Sequence, residues 1–231
     1  QAIRFGQALP KDRQGPFRAV IASALLLSLS LLAAAPAGAL EAAAVKVDIT
    51  PDLKTEKTWL AGFGSSGRRP AGVHDPLYAR LVLLREGGTT VALVGLDLLG
   101  FYFEDTNDLR ALWAEDDRNK RLFVHSTHQH SGPDMLGLWG PLPGISGINR
   151  GYNDRIKRSI VSELKRLEGR LRRVTAAGAH GTLNPRGLCR DSRDPQVIDA
   201  NLAVLRLRDD AGKAVATIVN WSCHPEVIGR D

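Results

Sequence analysis

The chain has 231 residues, 43% of them apolar and 24% charged, with a formal charge of +6. That is the composition of an ordinary globular protein, long enough to bury a sizeable core as one large domain or a domain and a half. The basic surplus is small and is not interleaved with aromatics, which argues against a nucleic-acid partner.

The first 39 residues read as a secretory signal peptide. Lys11, Arg13 and Arg18 precede an uncharged apolar run from Ala19 to Ala35, and Ala37 and Ala39 form a small-x-small cleavage pattern. The run also has about the minimum length for spanning a bilayer, so a membrane anchor is the alternative. No cysteine follows it to carry a lipid. Cleavage places residues 40–231 in a secreted or periplasmic mature chain and lowers the formal charge to +3. The chain starts at Gln1 and ends on "NWSCHPEVIGRD" with no closing helix or polar tail, which predicts a fragment open at its C-terminus.

In the mature part, "VKVDIT" (45–50) alternates as a short strand, and a glycine- and proline-rich loop follows over 61–76. "LYARLVLLRE" and "TTVALVGLDLL" flank Gly87-Gly88 as a hairpin. Both arms are apolar beyond strict alternation, so at least one is expected to be covered on two faces. Residues 104–118 have helical spacing, with Leu109, Leu112 and Trp113 as the apolar face. "RLFVHST" (121–127) is a strand, and 132–151 reads as a loop with an apolar tip formed by Met135, Leu138 and Trp139.

A second helix is predicted over 154–169, capped by Asn153. Ile156, Ile160, Val161, Leu164 and Leu167 form its apolar face, opposite a solvated basic face. "LRRVTAAGAHG" is a strand, and 201–224 is a hairpin turning at Asp209–Gly212, whose second arm delivers His224. The expected class is α/β: a mixed β-sheet with covering helices, incomplete at the C-terminus.

Three of the six histidines fall in "HSTHQHSGP": His125, His128 and His130. Side chains two apart on a strand share a face, so His128 and His130 pair up and His125 does not join them. Imidazole is a good ligand for zinc, copper, nickel or iron, and a catalytic zinc takes about three protein ligands with one position open. His224, placed where a strand meets Pro225, is the best distant partner. A hydrogen-bonded structural pair is the competing account.

Asp97 ends an apolar strand as either an acceptor for a ligand histidine or a loop anchor. Asp134 and Glu226 complete no convincing ligand set. "LAGFGSSG" lacks the lysine and the strand–loop–helix setting of a phosphate loop. Cys189 and Cys223 are either paired outside the cytoplasm or two buried thiols.

The chain resembles the neutral/alkaline, non-lysosomal ceramidase family. The likeness rests on "VDIT", "GVHDPLYARLVLL", "VALVGLDLLG", "STHQHSGP", "YNDRI" and "DPQVIDANLAVLRLRDDAGKAVATIVNWSCHPEVIG", in the family's order over 45–231. The resemblance implies an exported zinc amidase that cleaves the N-acyl bond of ceramide-like lipids, giving fatty acid and a sphingoid base. It implies His128 and His224 as zinc ligands and His130 as the catalytic imidazole beside the reacting group. A ceramide-like lipid substrate leaves peripheral membrane contact open, and no protein partner is evident in the sequence.

The family's further ligands, a glutamate and a tyrosine, and its active-site serine have no match here. They are expected beyond residue 231, and this length alone is expected to be inactive. Gln129 replaces the usual threonine, and "DMLGLWGPLPG" replaces a more glycine-rich loop. Another amide or ester, or metal binding without catalysis, therefore stays open.

Overall fold

The computed structural model describes residues 39–225; the apolar run at 19–35 and Glu226 lie outside the described residues. Among the described residues there are seven strands and two helices. They are β1 (Glu41–Asp48), β2 (Tyr78–Glu86), β3 (Thr89–Leu96), α1 (Phe103–Ala114), β4 (Lys120–Ser126), α2 (Arg150–Glu168), β5 (Arg172–Thr182), β6 (Asn201–Asp209) and β7 (Ala214–Trp221). The strands form one sheet in the order β4-β3-β2-β1-β5-β6-β7. β3 and β4 run parallel, with α1 as their crossover, and every other pairing is antiparallel. The expected mixed sheet with covering helices is therefore present.

The β2–β3 hairpin follows from its turn. Gly87 and Gly88 have φ of 54° and 85°, the left-handed pair that a two-residue turn needs to match strand twist. On the helix-covered face, Ala79, Leu81 and Leu83 of β2 meet Ala92, Val94 and Leu96 of β3, all essentially buried. Val82 and Leu84, on the other face of β2, pack against a second buried cluster of Ala42, Val174 and Leu207, from β1, β5 and β6. This is the two-sided covering that the apolar pattern predicts.

β1 joins β5 through two residue pairs only, Glu41–Arg173 and Ala42–Arg172. Beyond that short joint the sheet turns, and β7 packs near β1.

Several boundaries differ from expectation. β1 begins at Glu41, because Glu41 and Ala42 to Ala44 extend the ladder along Arg85 to Val82 of β2. In α1 the buried face is Thr106, Leu109 and Trp113, whereas Leu112 is 49% exposed beside α2. α2 starts at Arg150, not 154, and its cap is Asn149, whose side chain accepts from the Tyr152 N–H at 3.0 Å. Asn153 lies within the helix and donates to Asp105.

The basic face of α2 is ion-paired rather than merely solvated. Lys157 contacts Asp105 and Asp108, Arg155 contacts Glu56, and Lys165 contacts Glu115. Burial opposes the charge on Lys157, but its bonds to Asp108 and Asp105 outweigh this and raise its pKa.

The 132–151 loop is a packed element. Met135 is 1% exposed and joins the core. Asp134, also 1% exposed, accepts from the backbone N–H groups of Leu136, Gly137, Trp139 and Gly147 at 2.9–3.1 Å. One buried carboxylate thereby satisfies four donors that the chain's path would otherwise strand.

Candidate metal centre

The parallel strands β3 and β4 both point their C-terminal ends at one edge of the sheet, where open α/β sheets place ligands. After β4 the pairing continues irregularly, with the N–H groups of Thr127 and His128 donating to Leu96 and Leu98 carbonyls at 2.9 and 3.0 Å. His128 then adopts φ 61°, a left-handed value few non-glycine residues take. Strand alternation is thus not what aligns His128 with His130; a strained turn does so.

Three imidazoles meet here. Ring centroids of His128 and His130 are 5.1 Å apart, those of His128 and His224 4.9 Å, and those of His130 and His224 4.6 Å. One ligand nitrogen from each lies within 4.8 Å of the others. His125 stays on β4, opposite Gly95 of β3, and outside the group.

Each ring is positioned differently. His128 Nδ1 lies 2.7 Å from the Leu99 carbonyl. A carbonyl only accepts, so Nδ1 carries the proton and Nε2 is left with its lone pair toward the cluster. A ligand histidine is commonly oriented by a partner of this kind.

His130 is held by Gly62 and Phe63. Gly62 has φ 112°, and a Cβ there would lie 2.5 Å from the His130 ring. Phe63 meets the ring edge-on at 5.2 Å. The 59–62 segment reaches this place by pairing with 132–134: Ala61 donates to Gly132, and Asp134 donates to Trp59. Gly62 of "LAGFGSSG" therefore seats a histidine. No local signal announces this, because the contact joins positions 68 residues apart. His224 arrives in the short coil after β7, a strand that packs near β1.

Asp97 is not in the cluster. Its carboxylate accepts from the Tyr78 N–H at 3.0 Å and pairs with Arg80 at 2.5 Å, while its carbonyl accepts from Gln129. It anchors the loop, and the Leu99 carbonyl takes the orienting role considered for it. Asp134 is spent on backbone N–H groups, and exposed His74 pairs with Asp75.

Tetrahedral zinc at about 2.0–2.1 Å from each nitrogen sets the nitrogens about 3.3 Å apart. The observed spacing admits such an ion after a small inward shift of the rings. The donor set, neutral imidazoles with one tautomer preset, fits a borderline divalent metal. Beside the cluster is a cavity of about 510 Å3 bordered by Leu60, Arg68, Arg69, His74, Gln129 and Ser131. Arg69 stacks over Trp59 at 3.9 Å and donates to the Thr58 carbonyl. No helix among the described residues is long and apolar enough to cross a membrane.

No family model matches the chain, and no curated protein matches it in sequence. Solved structures do. The chain is similar to a neutral ceramidase from Pseudomonas aeruginosa, with 20% identity and a TM-score of 0.63 over 82% of this chain and 32% of that one. It is similar also to a ceramidase complexed with C2, with 22% identity, a TM-score of 0.62 and the same coverage of 82% and 32%. The described fold is thus shared with part of those enzymes, and the chain spans about a third of their length.

Proposed function

We propose that the full-length protein is an exported zinc-dependent amidase that hydrolyses the N-acyl bond of ceramide or a related lipid. The observation that carries this reading is the three-histidine cluster at the C-terminal ends of β3 and β4, with the His128 tautomer preset by Leu99. That cluster sits on a fold shared with ceramidases.

His128, through Nε2, and His224 are assigned as metal ligands. Zinc held there supplies Lewis acidity toward water and toward an amide carbonyl. His130 donates an imidazole N–H to the oxygen that becomes negative as the amide carbon turns tetrahedral. Its wedge against Gly62 and Phe63 holds the ring in place before the reaction, and such preorganisation gives a hydrogen bond its catalytic value. Leu138, Leu142 and Ile145, which are 56%, 65% and 51% exposed, are assigned to lipid contact at a membrane surface.

The near-equal spacing of the rings favours a second arrangement, with His130 as a third ligand. The guanidinium groups of Arg68 and Arg69 beside the cavity favour a second substrate class, an amide or ester with a polar head.

The test is fatty-acid release from a short-chain ceramide by the full-length protein, with and without a zinc chelator. Chelator-sensitive release, restored by zinc, is expected. A folded, zinc-loaded protein that cleaves only small water-soluble esters or amides overturns the lipid reading. One that turns over nothing overturns the enzyme reading. Bound zinc is expected to fall in His128→Ala and His224→Ala. In His130→Ala it is expected to stay while turnover falls, and loss of zinc there makes His130 a ligand.

A further inference from the structure

The β5–β6–β7 meander has two chain segments at one end. The long 183–200 loop leaves β5 after Thr182 and enters β6 at Asn201, and these two residues are paired. Leu202 pairs with Trp221, so the coil that follows β7 emerges at the same end. Cys189 lies in the first segment and Cys223 in the second.

Both cysteines have defined positions. The N–H groups of Leu188 and Cys189 both donate to the Pro185 carbonyl, at 2.9 and 3.0 Å. On the other side of Cys189, the Asp191 carboxylate accepts from the Arg193 and Val197 N–H groups and from the Arg193 guanidinium. Cys189 therefore sits between two hydrogen-bonded turns. Cys223 Sγ lies 4.0 Å from the carbonyl of Leu188, the residue that precedes Cys189. The fold thus brings Cys223 beside the Leu188–Cys189 peptide although 33 residues separate the two cysteines. Neither is a core thiol: Cys189 is half-buried and Cys223 exposed.

We propose that Cys189 and Cys223 form a disulfide that clamps the His224 segment to the 183–200 loop. Two neighbouring thiols that a small oxidant can reach meet the access requirement for exchange. With glutathione disulfide as oxidant, one cysteine sulfur attacks it and releases a glutathione thiol. The second cysteine then displaces the other glutathione. The cysteines lose two electrons and two protons, and two glutathione thiols are formed.

His224 follows Cys223 directly in the short coil after β7. A bond one residue before it restricts where the imidazole can go. The bond itself does not depend on zinc; its effect on metal affinity rests on the proposed metal centre.

The experiment equilibrates purified protein either with glutathione disulfide or with a reductant, blocks thiols, and maps tryptic peptides without reduction. The oxidised sample is expected to give one linked species joining the Cys189 and Cys223 peptides, absent after reduction. Alkylation of both cysteines in the glutathione-disulfide-treated protein overturns the bond. The map reads the same way whether or not the protein takes zinc, so a failed metal reading is seen separately. Zinc affinity by chelator competition is expected to be about ten-fold tighter in the oxidised form, since the bond raises the fraction of His224 in position. Cys189→Ser should match the reduced protein under both conditions. A linked protein with unchanged affinity overturns the clamp.

Discussion

β1–β4 carry both helices on one face and enclose Leu81, Leu83, Leu96, Trp113, Ile156 and Leu164 with no exposure at all. In β5–β7 the buried set shrinks to Val174, which is 5% exposed, and Leu207, and Val219 is 60% exposed. The histidine cluster straddles this divide. His128 and His130 stand on the densely packed half, one oriented by a backbone carbonyl and the other wedged on a glycine. His224 hangs from the thinly covered half. Local opening is easiest where little apolar surface is buried, so the grip of the centre is set by its weakest support, not by the core.

The largest effect that tests this contrast is in the packed half. Trp113→Ala removes a fully buried ring whose Nε1–H bonds Glu168 at 2.9 Å, and should lower unfolding free energy by about 3–5 kcal/mol in urea titration. A loss below about 1 kcal/mol would mean that this core is not the main source of stability.

Gly62→Ala follows. Its positive φ and the His130 ring both oppose a methyl group, and about 2 kcal/mol of stability should go. Zinc affinity should fall with it, because the ring must leave its seat. Unchanged affinity would mean that the seat does not serve the centre.

A pH effect of intermediate size belongs to Arg155 and Glu56. The hydrogen bond from Arg155 is the main cause holding the Glu56 carboxyl below its ordinary 4.5. Its stabilisation is fully present above that value and is lost as pH falls through the depressed one. Glu56→Gln should cost about 1.5 kcal/mol at pH 7 and flatten the acid side of the stability profile. An acid limb identical to that of the parent protein would rule the pair out as its source.

The smallest effect is expected in the other half. Val219→Ala should stay within about 0.5 kcal/mol. A loss close to that of Trp113→Ala would erase the distinction between the halves.

Much of this was legible in the chain. Gly87-Gly88 between two apolar runs announces its hairpin, since only left-handed residues make that turn. Imidazoles at 128, 130 and 224 advertise metal chemistry through residue type, and all three converge. The supports were not legible. The Leu99 carbonyl is backbone, which every residue has. Gly62 matters only through a contact made in three dimensions. Asn149 and Asn153 are equally good caps by type, and Asn153 is drawn instead to Asp105 on another helix. Met135 sits in a run that reads as loop because what orders it is a single carboxylate, Asp134, gathering four backbone groups.

That carboxylate has a consequence for how such a protein can change. With the path of 134–147 held from inside by Asp134, the outward side chains Leu138, Leu142 and Ile145 have no part in keeping it. They can be exchanged while the loop and the imidazoles beside it stay put. Divergent descendants of this chain can therefore vary the loop's tip while its path stays fixed, and Asp134 is the residue they must keep.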